Sequence, residues 1–230
     1  GDLARLPRAH VLQSHEWGTF KSKYGWQMAR HLWQEDQQPV AAALMLTRRA
    51  RFLPAAISYV PKGPALDYDE GPLLEDVLGR LEDAAREKGA LFLKIDPDVQ
   101  RNTLTGESVI AALRRRGWRR SAEQIQFCNT MHVDLTPDPD EMLSEMKSKW
   151  RYNIRLAGRK GVTVRQGSRA DMDLLYDMYA ETAQRGEFVI RPQRYYQDAW
   201  GSFIQAGLAL PLIAAFEGQP IAMVIVFRFG

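Results

Sequence analysis

Five stretches of the sequence carry side chains that can hold an anion or move a proton. Lys21 lies in the aromatic run "EWGTFKSKYGW", Lys62 and Gly63 occupy the tip of "YVPKGP", and Asp96 and Asp98 share "KIDPDV". Arg191, Arg194, Tyr195 and Tyr196 crowd into "RGEFVIRPQRYY". The fifth stretch, "MKSKWRYNIRLAGRKG" from Met146 to Gly161, places six basic residues and no acidic one in sixteen positions. Lysine offers phosphate a point charge and arginine a planar fork, so phosphates and carboxylates are the ligands these segments suit. A carboxylate just past a strand end can accept a proton from a bound group.

Each stretch also has a plainer account. For Lys21 a surface lysine is the more economical reading, and for "YVPKGP" a rigid turn between two prolines. Asp-Pro starts turns wherever it occurs. Arg191 and Tyr195, four apart at a helix start, suit phosphate binding or simple packing. In the fifth stretch Lys147, Arg151, Arg155 and Arg159 recur on one helix face, with Lys149 and Lys160 nearby. Met142, Met146, Trp150, Ile154 and Ala157 form a second stripe, expected to be buried. A basic row without acidic partners repels itself. A solvated face and a site for phosphates or carboxylates account for it equally well.

Composition narrows the chemistry. The 230 residues carry a net charge of +3 and a pI near 9.0, which permits a phosphate-bearing partner without requiring one. The 45% apolar content is enough for a substantial core. A single cysteine, Cys128, excludes an internal disulfide and a cysteine-rich metal site, and the four histidines (10, 15, 31, 132) lack ligand spacing. No P-loop, GxGxxG, GxSxG or Cys/His nucleophile pair is present. No metal and no cofactor is therefore expected. The opening "GDLARLPRAH" has no apolar h-region, and "PVAAALML" and "PIAMVIVF" are far too short to span a bilayer. A soluble cytoplasmic protein is the expectation.

The elements that must position these residues follow from periodicity and punctuation. Ser14 caps a short helix. "GWQMARHLWQ" and Val40 to Arg48 read as strands joined at "QQP", and a third extends from Phe52 to Val60. Pro72 to Lys88 has helical spacing and stops at Gly89. Then come a strand in "LFLKIDP", a helix from about Glu107 to Arg116, and a strand near Ile125 to Leu135. Thr136 and Pro137 are expected to open one helix running to about Arg159. "GVTVRQ" is a strand, Arg169 to Gln184 and Pro192 to Ala206 are helices, and Leu210 to Glu217 and Pro220 to Phe229 are strands. Short turns require antiparallel neighbours, so the fold class is α/β of the α+β type, with mixed sheets in two successive units, 1–135 and 136–230. The second unit stops inside a strand pattern, and the chain is expected to be an incomplete copy of a longer one.

"QSHEWGTFKSKYGW", "YVPKGP", "SKWRYNIRLAGRKGVTV" and "RGEFVIRPQRYY", in this order and spacing, resemble the FemABX family, the non-ribosomal peptidyltransferases of peptidoglycan bridge synthesis. The resemblance covers essentially the whole chain. It implies two tandem acetyltransferase-like (GNAT) domains, the second truncated here. It implies transfer of an aminoacyl group (Gly, Ala or Ser) from aminoacyl-tRNA to the stem-peptide amine of a UDP-linked or lipid-linked muropeptide. Peripheral contact with the inner membrane face is compatible with it. Lys21 and Arg191 would then grip the precursor's diphosphate with Tyr195 beside them, Lys62 and Gly63 would line its groove, and Asp96 would face the acceptor amine. Lys147, Lys149, Arg151, Arg155 and Arg159 would meet tRNA or order the cleft. No heptad-patterned hairpin is present, so the chain resembles the armless, FemX-like members. The alternatives are a non-catalytic nucleic-acid-binding module using helix 147–160 and an N-acyltransferase with another donor. The [QR]xxGx[GA] pyrophosphate loop of acetyl-CoA enzymes is absent.

Overall fold

Strand β2, Gln38–Arg49, is buried on both faces from Ala41 to Thr47, and the first half of the chain is organised around it. The structure, a computed structural model, describes residues 2–52 and 55–230. They fall into two compact units, Gly1–Gln126 with Arg228–Gly230, and Phe127–Phe227.

In the first unit, β1 (Gln27–Glu35) pairs antiparallel with β2 through a turn whose Asp36 and Gln37 take left-handed φ of 47° and 64°. β3 (Ala56–Val60) runs antiparallel to β2, the two-residue β4 (Ala65–Leu66) pairs with β2 further along, and β5 (Ala90–Ile95) lies parallel to β3. The sheet order is β1-β2-β3-β5. Helix α1 spans His15–Ser22, and the parallel pair is possible because helix α2, Gly71–Glu87, carries the chain back across the sheet. Its Leu74, Val77, Leu78, Leu81 and Ala85 pack on Trp33, Ala41, Ala43, Met45 and Val60. Burial of each larger side chain contributes about 1.5–3 kcal/mol. Gly89, with φ of 67°, ends the helix. Phe20 of α1 is buried, and a side chain at Gly18 would meet Met28 Sδ at 2.6 Å and Leu44 at 3.0 Å.

Helix α3 (Leu104–Arg115) starts three residues before the sequence-based start, because the Thr103 hydroxyl accepts the Gly106 N–H. Arg116 clamps it to α2, bridging Glu75 at 3.0 Å and Glu82 at 2.9 Å. The third strand is shorter than expected: Phe52 lies in a bend, Leu53 and Pro54 fall outside the described residues, and pairing begins at Ala56.

The expected strand from Ile125 to Leu135 does not form. Its apolar residues stand in solvent, Phe127 at 90% exposure, and the segment finds no ladder partner among the described residues. Alternation alone cannot hold a strand whose N–H and C=O groups lack a neighbouring edge.

In the second unit, β6 (Thr163–Gln166), β7 (Ala209–Phe216) and β8 (Gln219–Phe227) form an antiparallel sheet in the order β6-β7-β8. The continuous helix expected over 136–159 is two: α4 (Pro139–Glu145) and α5 (Ser148–Arg159). Asp138 replaces Thr136 as the cap, because the Thr136 hydroxyl is taken by Asp134 while Asp138 accepts the Asp140 N–H. At the break Met146 and Lys147 are extended, and the Arg151 guanidinium donates to the carbonyls of Ser144 (2.8 Å) and Met146, stabilising the open end of α4. The stripe expected to be buried is exposed at its centre: Trp150 is 64% exposed, Met146 and Ile154 are exposed too, Met142 and Ala157 at its ends are half-buried, and no apolar cluster of the described residues includes α5.

Helices α6 (Met172–Arg185) and α7 (Gln193–Gln205) cover one sheet face, with Met172, Leu175 and Ile213 at the centre. Asp171 ties down the turn before α6: its carboxylate accepts the Ser168 N–H at 2.8 Å and pairs with Arg165 at 2.5 Å.

Candidate active site

The parallel register of β3 and β5 sets Val60 opposite Ile95, so the chain leaving each strand does so at the same sheet end. That places "PKGP" beside "DPD". Lys62 Nζ lies 3.1 Å from Asp98 Oδ1, with the lysine side chain only 17% exposed. The Tyr59 hydroxyl donates to Asp96 Oδ2 and accepts from Gln126 Nε2 at 3.3 Å, and the Asp96 N–H continues the ladder to Val60 O. Burial, then the hydrogen bond to Asp96, holds the Tyr59 hydroxyl above the usual tyrosine range.

The loop is fixed from beneath by Gln13. Its amide nitrogen donates to Pro61 O at 2.5 Å, its oxygen accepts Leu44 N–H at 2.7 Å, and the side chain is buried. The absence of a side chain at Gly63 makes room for it, since a Cβ there would fall 2.7 Å from the Gln13 amide carbon. The buried Tyr68 hydroxyl donates to Pro64 O at 2.6 Å, and the Gly63–Pro64 peptide is cis. Lys62 itself adopts a left-handed φ of 47°. His10 lies in the field of both charges. Burial lowers its pKa, Asp98 opposes that shift and Lys62 adds to it. Its Nδ1 accepts the Leu12 N–H at 3.1 Å.

Of the residues singled out from sequence, Lys62, Gly63 and Asp96 are thus neighbours. Lys21 lies elsewhere in the same unit, in the last turn of α1. Its ammonium sits 5.4 Å from the Trp17 ring centroid, 5.7 Å from Trp26 and 5.9 Å from Phe20. Three ring faces around one ammonium stabilise its charge and fix its direction. In the second unit, Arg191 stacks over Tyr195 at 5.7 Å, and its backbone N–H donates to the Tyr196 hydroxyl at 3.2 Å. Burial raises the Tyr195 pKa while Arg191 opposes the shift. Tyr179, Tyr196 and Trp200 pack edge-to-face or tilted behind this pair. Lys147, just before α5, and Lys149, Arg155 and Arg159 on it are exposed, whereas Arg151 is engaged at the helix junction.

Sequence reading passed over Tyr59, Gln13, Gln126 and His10. Tyr59 reads as an ordinary strand aromatic, and only its place one residue before "VPKGP" sets it apart. Among the described residues no group of three or more His, Cys, Asp or Glu is arranged to hold a metal ion, and no helix is long and apolar enough to cross a membrane.

A mixed sheet and an antiparallel sheet, each with helices packed on it, define an α/β chain, and one end of the first sheet sets the Lys62–Asp98 ion pair beside the Tyr59–Asp96 hydrogen bond. The profile of the FemAB family matches residues 4–215, and the chain belongs to that family. It is 25% identical over 222 residues to the lipid II:glycine glycyltransferase of Staphylococcus epidermidis, covering 94% of this chain and 53% of that protein. The protein of the same name from Staphylococcus saprophyticus is 26% identical over 222 residues, with the same coverage. That from Staphylococcus aureus is 25% identical over 208 residues, covering 87% of this chain and 49% of that protein. The chain thus spans about half the length of the curated relatives it matches. A crystal structure of FemX superposes with a TM-score of 0.82 at 22% identity, over 93% of this chain and 54% of that one. The family resemblance and the mixed α/β fold class read from sequence are both borne out.

Proposed function

We propose that this chain carries part of an aminoacyltransferase of peptidoglycan bridge synthesis, built as two acetyltransferase-like domains. It would transfer glycine, or the similarly small alanine or serine, from aminoacyl-tRNA to the stem-peptide amine of a muropeptide precursor on the cytoplasmic side of the membrane. Membership of the FemAB family supports the reaction class, and the relatives' name makes lipid II the first acceptor to test and glycine the first amino acid. The single observation that carries the reading is the joined pair of loops at the ends of β3 and β5, with Lys62 held by Asp98 and Asp96 held by Tyr59.

The chemistry asks for little beyond binding and one proton transfer. An aminoacyl ester is already activated. The acceptor amine, with an ordinary pKa of about 10.4, is a free base in fewer than roughly one molecule in a thousand at pH 7. In the proposed reaction Asp96 accepts a proton from the ammonium, the freed nitrogen attacks the ester carbonyl, and a C–N bond forms as the C–O bond to the ribose breaks. The departing oxygen takes that proton from Asp96, and the acylated nitrogen gives up its second proton to water, so the products are a neutral amide, the free ribose hydroxyl and one H+. Holding both substrates in line supplies about 7–11 kcal/mol, and a donor to the tetrahedral oxyanion about 3–4 kcal/mol. In this reading Lys21 in the first unit, and Arg191 with Tyr195 in the second, are each phosphate-binding residues. Lys62 and Gly63 line the precursor groove. Lys147 at the start of α5, with Lys149, Arg155 and Arg159 on it, meets the tRNA backbone.

Incubation of the chain with radiolabelled glycyl-tRNA and lipid II tests this directly. Label appearing in the lipid fraction, and lost with Asp96→Asn, is the expected result. Label that stays on tRNA while the folded chain binds the RNA would favour a nucleic-acid-binding module instead.

A further inference from the structure

We propose that Tyr59 is a positioning residue for the transfer step, orienting the Asp96 carboxylate so that one oxygen alone faces the acceptor amine. The inference rests on the proposed function and deepens it. Tyr59 is only 8% exposed, and its backbone is paired on both sides, opposite Leu46 on β2 and Lys94 on β5. The ring therefore has no room to swing. Its hydroxyl accepts from the Gln126 amide, which directs the hydroxyl proton to its remaining partner, Asp96 Oδ2. On the other side the Asp96 N–H is fixed to Val60 O. Backbone and one carboxylate oxygen are thus both committed, while Oδ1 makes no hydrogen bond among the described residues.

The consequence is geometric. The terminal torsion of an aspartate is broad, and a half-buried carboxylate without a fixed partner samples many orientations. A proton acceptor must sit within hydrogen-bonding reach of the proton it takes. Tyr59 also stays protonated well past neutral pH, since burial and Asp96 both favour the neutral phenol, so its donor role persists across the working range. In the balanced step, Asp96 Oδ1 takes a proton from R–NH3+, becoming a neutral acid still held through Oδ2. The amine then forms the new C–N bond as the ester C–O bond breaks, Oδ1 gives its proton to the leaving ribose oxygen, and the nitrogen's second proton passes to water.

The test compares Tyr59→Phe, Asp96→Asn and the double variant of the full chain in the glycyl-tRNA and lipid II assay. Positioned general bases contribute about 10²–10⁴-fold, and loss of the orienting bond should remove about tenfold of that from kcat, with KM for lipid II unchanged. In the Asp96→Asn background, Tyr59→Phe should change kcat by less than about twofold, the signature of two residues acting as one unit. An unchanged kcat, an effect confined to KM, or full additivity would overturn the inference while leaving the proposed function standing. No transfer by the unsubstituted chain would refute the proposed function, and this inference with it. Should Tyr59→Phe fail to fold, Gln126→Ala decides: a lower kcat at constant KM supports the relay, and unchanged values overturn it.

Discussion

Lys62 Nζ and Asp98 Oδ1 stand 3.1 Å apart although 36 residues separate them in sequence. They meet because a helical crossover makes β3 and β5 parallel, so both strands end on the same side of the sheet. The pair is partly exposed, which limits its worth as a stabilising bond to about 1 kcal/mol or less. Its value lies in where it holds the lysine. Lys62→Ala should lower the melting temperature by only a few degrees yet weaken muropeptide binding about tenfold, read by calorimetry. Equal affinity in the variant would remove Lys62 from the groove.

Gln13 is the support under the loop. Gln13→Leu leaves Pro61 O and Leu44 N–H buried without partners, at about 1–3 kcal/mol each. Chemical denaturation should show a loss of about 2–6 kcal/mol, and Gly63→Ala should destabilise as well, since the new methyl group displaces the same amide. Stability unchanged in Gln13→Leu would show that the loop holds itself.

Tyr59 and Tyr68 are both held above the ordinary tyrosine value of 10.0, in each case chiefly by burial. The folded state therefore prefers the neutral phenols more than the unfolded chain does. That stabilisation is fully present below pH 10 and is lost as the pH rises beyond it. Denaturation midpoints of the first unit should be level from pH 8 to pH 9.5 and fall above pH 10. A flat profile through pH 11.5 would contradict the burial of these hydroxyls.

The second unit has an acid-sensitive point. Arg165, then the Ser168 N–H, holds Asp171 down to about 2 from its ordinary 3.8. The contribution is present above pH 3.8 and disappears as the pH falls toward 2. Because Arg165 is half exposed, about 1 kcal/mol is a reasonable size. Asp171→Asn should cost that amount at pH 7 and nothing at pH 2, measured by thermal unfolding.

Much of this organisation is legible in the sequence. Alternation in "GWQMARHLWQ" and the double-sided apolar run after it give the central hairpin, and the spacing of Leu74, Val77, Leu78 and Leu81 gives the crossover helix. What periodicity cannot carry is partnership. The pattern from Ile125 to Leu135 looks like a strand but meets no edge, and the stripe through Trp150 looks like a core face but stands in solvent. The helix break at Met146 depends on a side chain five residues later, Arg151, reaching back to the carbonyls. Tyr59 was hidden for the opposite reason, since a buried strand aromatic needs no further explanation until its hydroxyl is seen on Asp96.

The proposed function requires that this chain recognise a peptidoglycan precursor through its cations. Isothermal titration of the chain with the UDP-linked muropeptide, alongside Arg191→Ala, measures it most directly. Saturable binding that Arg191→Ala weakens tenfold or more is the expected result, about 1.4 kcal/mol for each tenfold. A folded wild-type chain that binds no muropeptide, or an Arg191→Ala variant that binds equally well, would contradict it.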